Sequence, residues 1–154
     1  MNIFILDEDP DIAATMACDK HVVKMILETA QMLCTVAISK GYSAPYATTH
    51  KKHPCTLWAA QSSANWVWLV LHGLALCAEY TKRYGRTHKS QRVIEHCATL
   101  DLPFDEHRLT PFAQAMPSQY KNECAVTAYR SYYHGEKASF ATWKTEAPAW
   151  WKSI

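Results

Sequence analysis

The sequence predicts a mainly α, compact single-domain helical fold with a long central core helix and a short extended N-terminus. Three observations carry that expectation. Apolar residues recur at helical spacing through two long stretches. The 154 residues are one ordinary domain's worth of length, enough to bury a continuous core. Hydrophobic residues make up 49 % of the chain and charged residues 19 %, a balance that suits a packed globule and excludes a disordered chain.

Taken in order, Asn2 to Leu6 is short and apolar with no helix signal, which predicts a strand or an extended buried start. Asp9-Pro10 supplies a cap and then proline at the first helical position, so a short helix is expected through Ala17. Asp19 is a second cap candidate. Beyond it Val22, Val23, Ile26, Leu27, Ala30, Leu33, Cys34 and Ala37 fall at helical spacing until Gly41 ends the run. Tyr42 to Cys55 has loop composition and carries the basic run His50-Lys51-Lys52-His53. From Thr56 the helical pattern returns for about eight turns. It ends at Tyr84-Gly85 and is apolar nearly all round between Trp66 and Leu76, which marks it as the spine of the core. Thr87 is expected to cap a fourth helix, Lys89 to about Ala98. Leu100 to Tyr120, with three prolines, reads as an irregular connection. Asn122 to His134 and Glu136 to Lys144 read as two last short helices, and Trp150-Trp151 as a packing tail.

Several function classes are excluded. A net charge of only +2 argues against a polybasic, histone-like partner for nucleic acid. The apolar stretch Trp66 to Ala78 is interrupted by His72 and is too short to cross a bilayer, so no membrane partner is expected. Asp7, Glu8, Asp9 and Asp11 come directly after the apolar start, the opposite of a signal peptide, which predicts a cytoplasmic protein. The six cysteines stand singly with no C-x-x-C pair and predict reduced, buried thiols. Glycine-rich phosphate loops, G-x-S-x-G and H-E-x-x-H are absent, so kinase, hydrolase and zinc-protease readings lose their usual supports.

Two basic segments are candidates for nucleic-acid contact. Lys82, Arg83, Arg86, Lys89 and Arg92 cluster around a glycine corner with no acid among them, flanked by Tyr80 and Tyr84. Such a corner suits a phosphate backbone with stacking aromatics, and part of it equally suits compensation of a helix dipole. The loop His50, Lys51, Lys52, His53 is the second candidate. His50, His53 and Cys55 are of the right type for zinc but lack a clear fourth ligand, so no metal is expected there. Asp7, Glu8, Asp9 and Asp11 are of the type that holds magnesium, though helix capping already explains two of them.

One row has the composition of an amine-based active site. Lys20, Lys24 and Glu28 stand at i, i+4 and i+8 on one helix face, extended by Gln31 and opened by Asp19 and His21. Paired lysines favour an amine nucleophile, and a carboxylate on the next turn can move protons or stabilise a cationic, sugar-like transition state. The same row is also what a solvated helix face looks like.

The order Asp19-Lys20-His21-Val22-Val23-Lys24, Glu28, Gln31, His53-Pro54, Trp58 and Cys77-Ala78-Glu79-Tyr80-Thr81-Lys82-Arg83-Tyr84-Gly85 resembles proteins related to pyrimidine dimer DNA glycosylases of the phage endonuclease V type. The likeness covers about the first 95 residues; the aromatic C-terminal region around Tyr132-Tyr133-His134-Gly135 and Trp143 matches the pattern more loosely. The resemblance implies a helical protein that binds duplex DNA carrying a damaged or modified pyrimidine. It flips a nucleotide, attacks the sugar C1′ with an amine, and forms a Schiff base that can break the strand. It implies no cofactor. Lys20 and Lys24 would face phosphates, and a carboxylate on the second helix, Glu28, would assist, with His21 as the alternative. In characterised members the nucleophile is the amine of a small residue exposed by removal of the initiator methionine. Residue 2 here is Asn. The amine then falls to Met1, or to Lys20 or Lys24, or the chain lacks lyase activity. Two other functions fit the same residues: an enzyme acting on free nucleotides or another small phosphorylated ligand, and a non-catalytic nucleic-acid-binding protein. The oligomeric state is not readable from the sequence.

Overall fold

The computed structural model describes residues 1–151. It is built on two long helices, α2 (Asp19–Ser39) and α4 (Ser63–Tyr84), packed against each other. Around them lie α1 (Pro10–Met16), α3 (Pro54–Gln61), α5 (Gln91–Ala98) and α6 (Ala125–Tyr132), the last running into a π-helical turn, Tyr133–Lys137. The fold is mainly α, as the periodicity predicts, and there is no strand among the described residues.

The first residues form the extended, buried start. Asn2 to Leu6 are all buried, and none pairs with a strand. Several of their backbone groups are met locally or by side chains: Ile3 N–H donates to Asn2 Oδ1 (2.8 Å), Leu6 N–H to the Phe4 carbonyl (3.0 Å), and Arg130 Nε to the Leu6 carbonyl (2.9 Å). At these groups local and side-chain bonds stand in for the ladder of a sheet.

α1 begins as expected, with Asp9 Oδ1 accepting from Asp11 N (2.8 Å) and Pro10 in the first turn. α2 does not use Asp19 as its cap. Asp19 is already helical, and Cys18 at the cap position makes no side-chain capping bond. The Asp19 carboxylate is committed instead to Arg83 (3.1 Å) and the Lys144 N–H (3.0 Å).

The expected continuous helix from Thr56 is two helices. Ser62 adopts an extended conformation, and its hydroxyl caps α4 by accepting from Asn65 N (3.0 Å). Asn65 Nδ2 donates back to the Trp58 carbonyl (2.8 Å), so the break is stitched shut. α4 ends where the sequence says it should, at Gly85 in the left-handed region (φ 70°) with its N–H on the Thr81 carbonyl (2.8 Å). Within α4, Gly73 lets neighbouring helices approach: a Cβ there would sit 2.8 Å from Thr29 Cγ2 on α2 and 3.1 Å from Ile94 Cδ1 on α5.

Three further expectations are corrected. α5 starts at Gln91, and Thr87 does not cap it; His88 Nδ1 accepts from Ser90 N (3.0 Å) just ahead of its first turn. The second C-terminal helix, over residues 136–144, does not form beyond the π turn. Residues 142–144 instead lace onto the start of α2, with the Thr142 carbonyl accepting from Asp19 N (2.8 Å). Five of the six thiols are buried, but Cys124 is exposed, and all six are free. α2 is long and apolar enough to cross a membrane by length and composition, and 67 % of its most apolar window is buried within the protein.

Candidate active site

Apart from Ser39 at its end, α2 shows solvent one narrow stripe, Lys20, Val23, Lys24 and Leu27. Glu28 lies just inside that stripe and is buried. The Met1 amine nitrogen lies 2.9 Å from Glu28 Oε1, and Lys24 Nζ lies 3.8 Å from Oε2. Glu28 Oε1 accepts no aligned hydrogen bond, so its link to the amine is one of charge and proximity.

Asn2, the next residue in the chain, anchors the amine there. Asn2 is buried, its Nδ2 donates to the Ala115 carbonyl (2.8 Å), and its Oδ1 accepts from Tyr129 Oη (2.9 Å) as well as from Ile3 N. The Met1 side chain is only 2 % exposed, whereas the residue as a whole is half-buried, so what Met1 presents to solvent is its main chain.

His53 comes to the same place. It caps α3 with Nδ1 accepting from Cys55 N (3.1 Å), and its ring faces the Met1 main chain. Its pKa is lowered by burial first, then by the positive charge of the N-terminal amine and of His50. A neutral imidazole, a carboxylate and an amine therefore share one small volume.

His21 is placed differently. It is buried and stacked on Phe4 at 4.2 Å, and its Nδ1 is bonded to Tyr133 Oη (2.6 Å). Burial pushes its pKa down to about 3, helped by Lys137, Lys24 and Lys20. It is a neutral interior ring beneath a rim of three cations. Two of these are positioned by aromatic faces: Lys20 Nζ stands 4.6 Å from the Phe140 ring centroid and Lys137 Nζ 4.7 Å from that of Tyr132. Sequence reasoning missed Lys137, Tyr132 and Phe140. Tyr132 ends α6, Lys137 ends the π turn and Phe140 lies in the irregular segment after it, where no linear period marks a face.

The basic corner is divided. Lys82, Arg86, Lys89 and Arg92 are exposed, and His88 Nε2 lies 3.0 Å from the Val23 carbonyl, so the corner abuts the exposed stripe of α2. Arg83 is a correction. Its side chain is wholly buried, bonded to Glu79 Oε1 (2.9 Å), Asp19 Oδ1 (3.1 Å) and the carbonyls of Ala17 (2.8 Å) and Thr15 (3.1 Å). With its guanidinium turned inward and four hydrogen bonds made inside the protein, it has nothing to offer a phosphate.

His50, Lys51 and Lys52 are exposed beside the amine site, on the loop that His53 closes. The zinc-type trio does not converge: Cys55 is fully buried, and its thiol is pushed up to about 11 chiefly by burial, while His50 is on the surface. No group of three or more His, Cys, Asp or Glu able to hold a metal ion occurs among the described residues. The acidic start is committed to local structure, with Asp9 capping α1 and Asp7 Oδ2 3.6 Å from Arg130.

A family model described as pyrimidine dimer DNA glycosylase matches residues 1–92. The matched segment contains the amine, Glu28, His53 and the basic corner, and leaves out Lys137 and the aromatic C-terminal region. No curated protein and no solved structure matches the chain.

Proposed function

The chain belongs to the pyrimidine dimer DNA glycosylase family, and on that footing we propose that it excises a damaged or modified pyrimidine from duplex DNA with the Met1 amine as nucleophile. The observation that carries this reading is the 2.9 Å approach of the amine to Glu28 Oε1.

The chemistry rests on what each group can do. An amine attacks only as the free base, so it must first lose a proton, and Glu28 is the acceptor within reach. The nitrogen lone pair then attacks C1′, the glycosidic bond breaks, and the base departs with that bond's electrons and takes up a proton from solvent, while the attacking nitrogen, now a secondary ammonium, releases one to solvent and regains its lone pair. Glu28 returns its proton to the ring oxygen O4′ as the sugar opens, leaving a Schiff base between C1′ and the chain. Loss of a C2′ proton from that intermediate eliminates the 3′ phosphate, which is the strand-breaking step. Lys20 and Lys24 stand beside the amine to hold the phosphates of the lesion strand. Lys82, Arg86, Lys89 and Arg92 on one flank, and His50, Lys51 and Lys52 on the other, extend the backbone contact.

Asn2 supports Met1 over a processed terminus. Its side chain is packed and hydrogen-bonded on both polar atoms, so it is a structural anchor. Lys20 and Lys24 remain the competing nucleophiles. Borohydride trapping on abasic, UV-irradiated and undamaged oligonucleotides, with peptide mapping of the adduct, separates them. The expected result is an adduct on the N-terminal amine with the first two substrates and none with the third. An adduct mapped to either lysine, or no adduct together with no base release, overturns the assignment.

A further inference from the structure

α4 has an outer face that the chemistry of Met1 and Glu28 does not use. Ala64, Val67, Leu71, Leu74 and Ala78 follow one another at alternating intervals of three and four residues, with Ala75 beside them, so all six lie on one side of the helix. Val67 is 49 % and Leu71 46 % exposed, Ala78 is exposed, and the other three are half-buried. α4 thus packs one apolar side against α2 and shows a second apolar side to solvent, where a surface helix carries polar residues. Its first exposed charge beyond the stripe is Lys82, because Glu79 is buried. Beside the stripe, a hollow of about 380 Å³ between α4 and the segment after α5 is walled by Leu100, Leu102 and Phe104, which widens the apolar surface. A contiguous patch of this kind marks a contact site, and its three-and-four period is the one that packs on another helix.

The stripe is complementary to itself. Around Leu71 it reads alike in both directions: Ala64 and Ala78 stand seven residues to either side, and Val67 and Ala75 four. In a two-fold pair every contact i–j recurs as j–i. Two antiparallel copies of α4 therefore set Leu71 on Leu71 at the axis, Val67 on Ala75, and Ala64 on Ala78, where small side chains let the helices come close. The charges obey the same symmetry. Lys82 continues the stripe at one end, and at the other the Glu106 carbonyl accepts from Ser63 N (2.9 Å), which places the exposed Asp105 beside the start of α4. Antiparallel pairing brings each Lys82 toward the other copy's Asp105, whereas a parallel pair would set Lys82 against Lys82. We propose that the outer face of α4 is the interface of a homodimer, with two copies of the chain paired antiparallel about Leu71. The interface stands whether or not Met1 is the nucleophile. It engages Lys82, so in the dimer the DNA contact on that flank falls to Arg86, Lys89 and Arg92.

Sedimentation equilibrium of the full chain across the micromolar range tests the pairing. The expected result is a mass that rises with concentration from one chain to two and no further. Leu71→Lys puts two cations on the axis and should weaken association roughly tenfold or more, since like charges facing one another across an interface are costly. Leu57→Lys, on an equally open position of α3, should leave association unchanged. Both positions are helical and face solvent, and lysine is a good helix former, so neither variant should lose far-ultraviolet helical signal. Orientation is read by oxidative cross-linking in a Cys124→Ser background, which removes the one exposed thiol. Leu71→Cys should cross-link to itself, and Ala64→Cys should cross-link to Ala78→Cys but not to itself. A single-chain mass at every concentration, whether the chain stays free or collects on lipid vesicles, overturns the interface. Unchanged association in Leu71→Lys overturns its location, and self-linking of Ala64→Cys overturns the antiparallel order.

Discussion

The Met1 amine and the Glu28 carboxylate, 2.9 Å apart, bring the first atom of the chain against the middle of α2. Neither group could be assigned to the other from their spacing in sequence. The buried run Asn2 to Leu6 fixes the approach, and the salt-bridged Lys24 stands on the opposite carboxylate oxygen. Glu28→Gln keeps the shape of the side chain but removes the proton acceptor. Base release from UV-irradiated duplex should fall by about 10²- to 10⁴-fold, the usual range for a positioned general acid–base group. Binding to abasic duplex should persist. One residue added before Met1 displaces the amine by up to ~3.8 Å and should abolish borohydride trapping with little change in melting temperature; trapping that survives the extension points to a lysine.

Arg83 predicts stability, not affinity. Its wholly buried guanidinium joins α4 to Asp19 at the start of α2 and to the carbonyls of Thr15 and Ala17. Removing the cation leaves Glu79 and Asp19 facing one another without compensation, a loss of about 3–5 kcal/mol for a broken buried pair. Arg83→Met should therefore lower the urea midpoint sharply, whereas Lys82→Met, one residue earlier and exposed, should change the unfolding free energy by less than about 0.5 kcal/mol and leave the midpoint nearly unmoved. Equal effects from the two would show that the buried network is not what holds these elements together.

This residue also shows how far the sequence was legible. A basic pair in the last turn of α4 reads as surface, because helix ends attract cations and only tertiary structure reveals which one turns inward. α2 was legible throughout its length because its apolar positions keep one period. The break at Ser62 was not, since the apolar pattern runs through it unchanged and one hydroxyl decides the matter. The row Lys20, Lys24, Glu28 was readable as a row. Its meaning depended on Met1 and His53, and its cationic rim on Lys137, which lies 109 positions beyond Glu28 and is brought back by the π turn.

Two buried imidazoles set an acid limit on stability. Burial holds His21 at about 3 and His72 at about 4, against 6.5 for a free ring. As the pH falls below 6.5 the unfolded chain takes up these protons and the folded one does not. Stability from these groups is thus intact above pH 6.5 and is lost downward through the interval to pH 4 or 3. The slope is about 1.4 kcal/mol per pH unit for each ring. Urea midpoints at pH 7.5, 6.5, 5.5 and 4.5 should fall steadily across the last three, with the ring resonances of both histidines unmoved at pH 5. A flat profile, or rings that titrate near 6.5, contradicts their neutral burial.

The rim around His21 predicts how DNA binding responds to salt. Each phosphate neutralised by a cation adds about 0.9 to the slope of log K against log salt concentration. Lys20 and Lys137 stand over aromatic rings, and Lys24 lies 3.8 Å from Glu28 Oε2, so each has lost part of its side-chain freedom before any phosphate arrives. Lys20→Ala, Lys24→Ala and Lys137→Ala should each weaken binding to duplex uniformly across sequences and reduce the slope by about one. Lys40 is the control: it lies at the far end of α2 with its amine 4.1 Å from the Phe104 centroid, away from the rim. Lys40→Ala should leave the slope unchanged. The decisive comparison is Lys137 against Lys40. If the two variants shift the slope equally, the C-terminal π turn does not face the DNA, and the interface is confined to α2, the loop before α3 and the corner after α4.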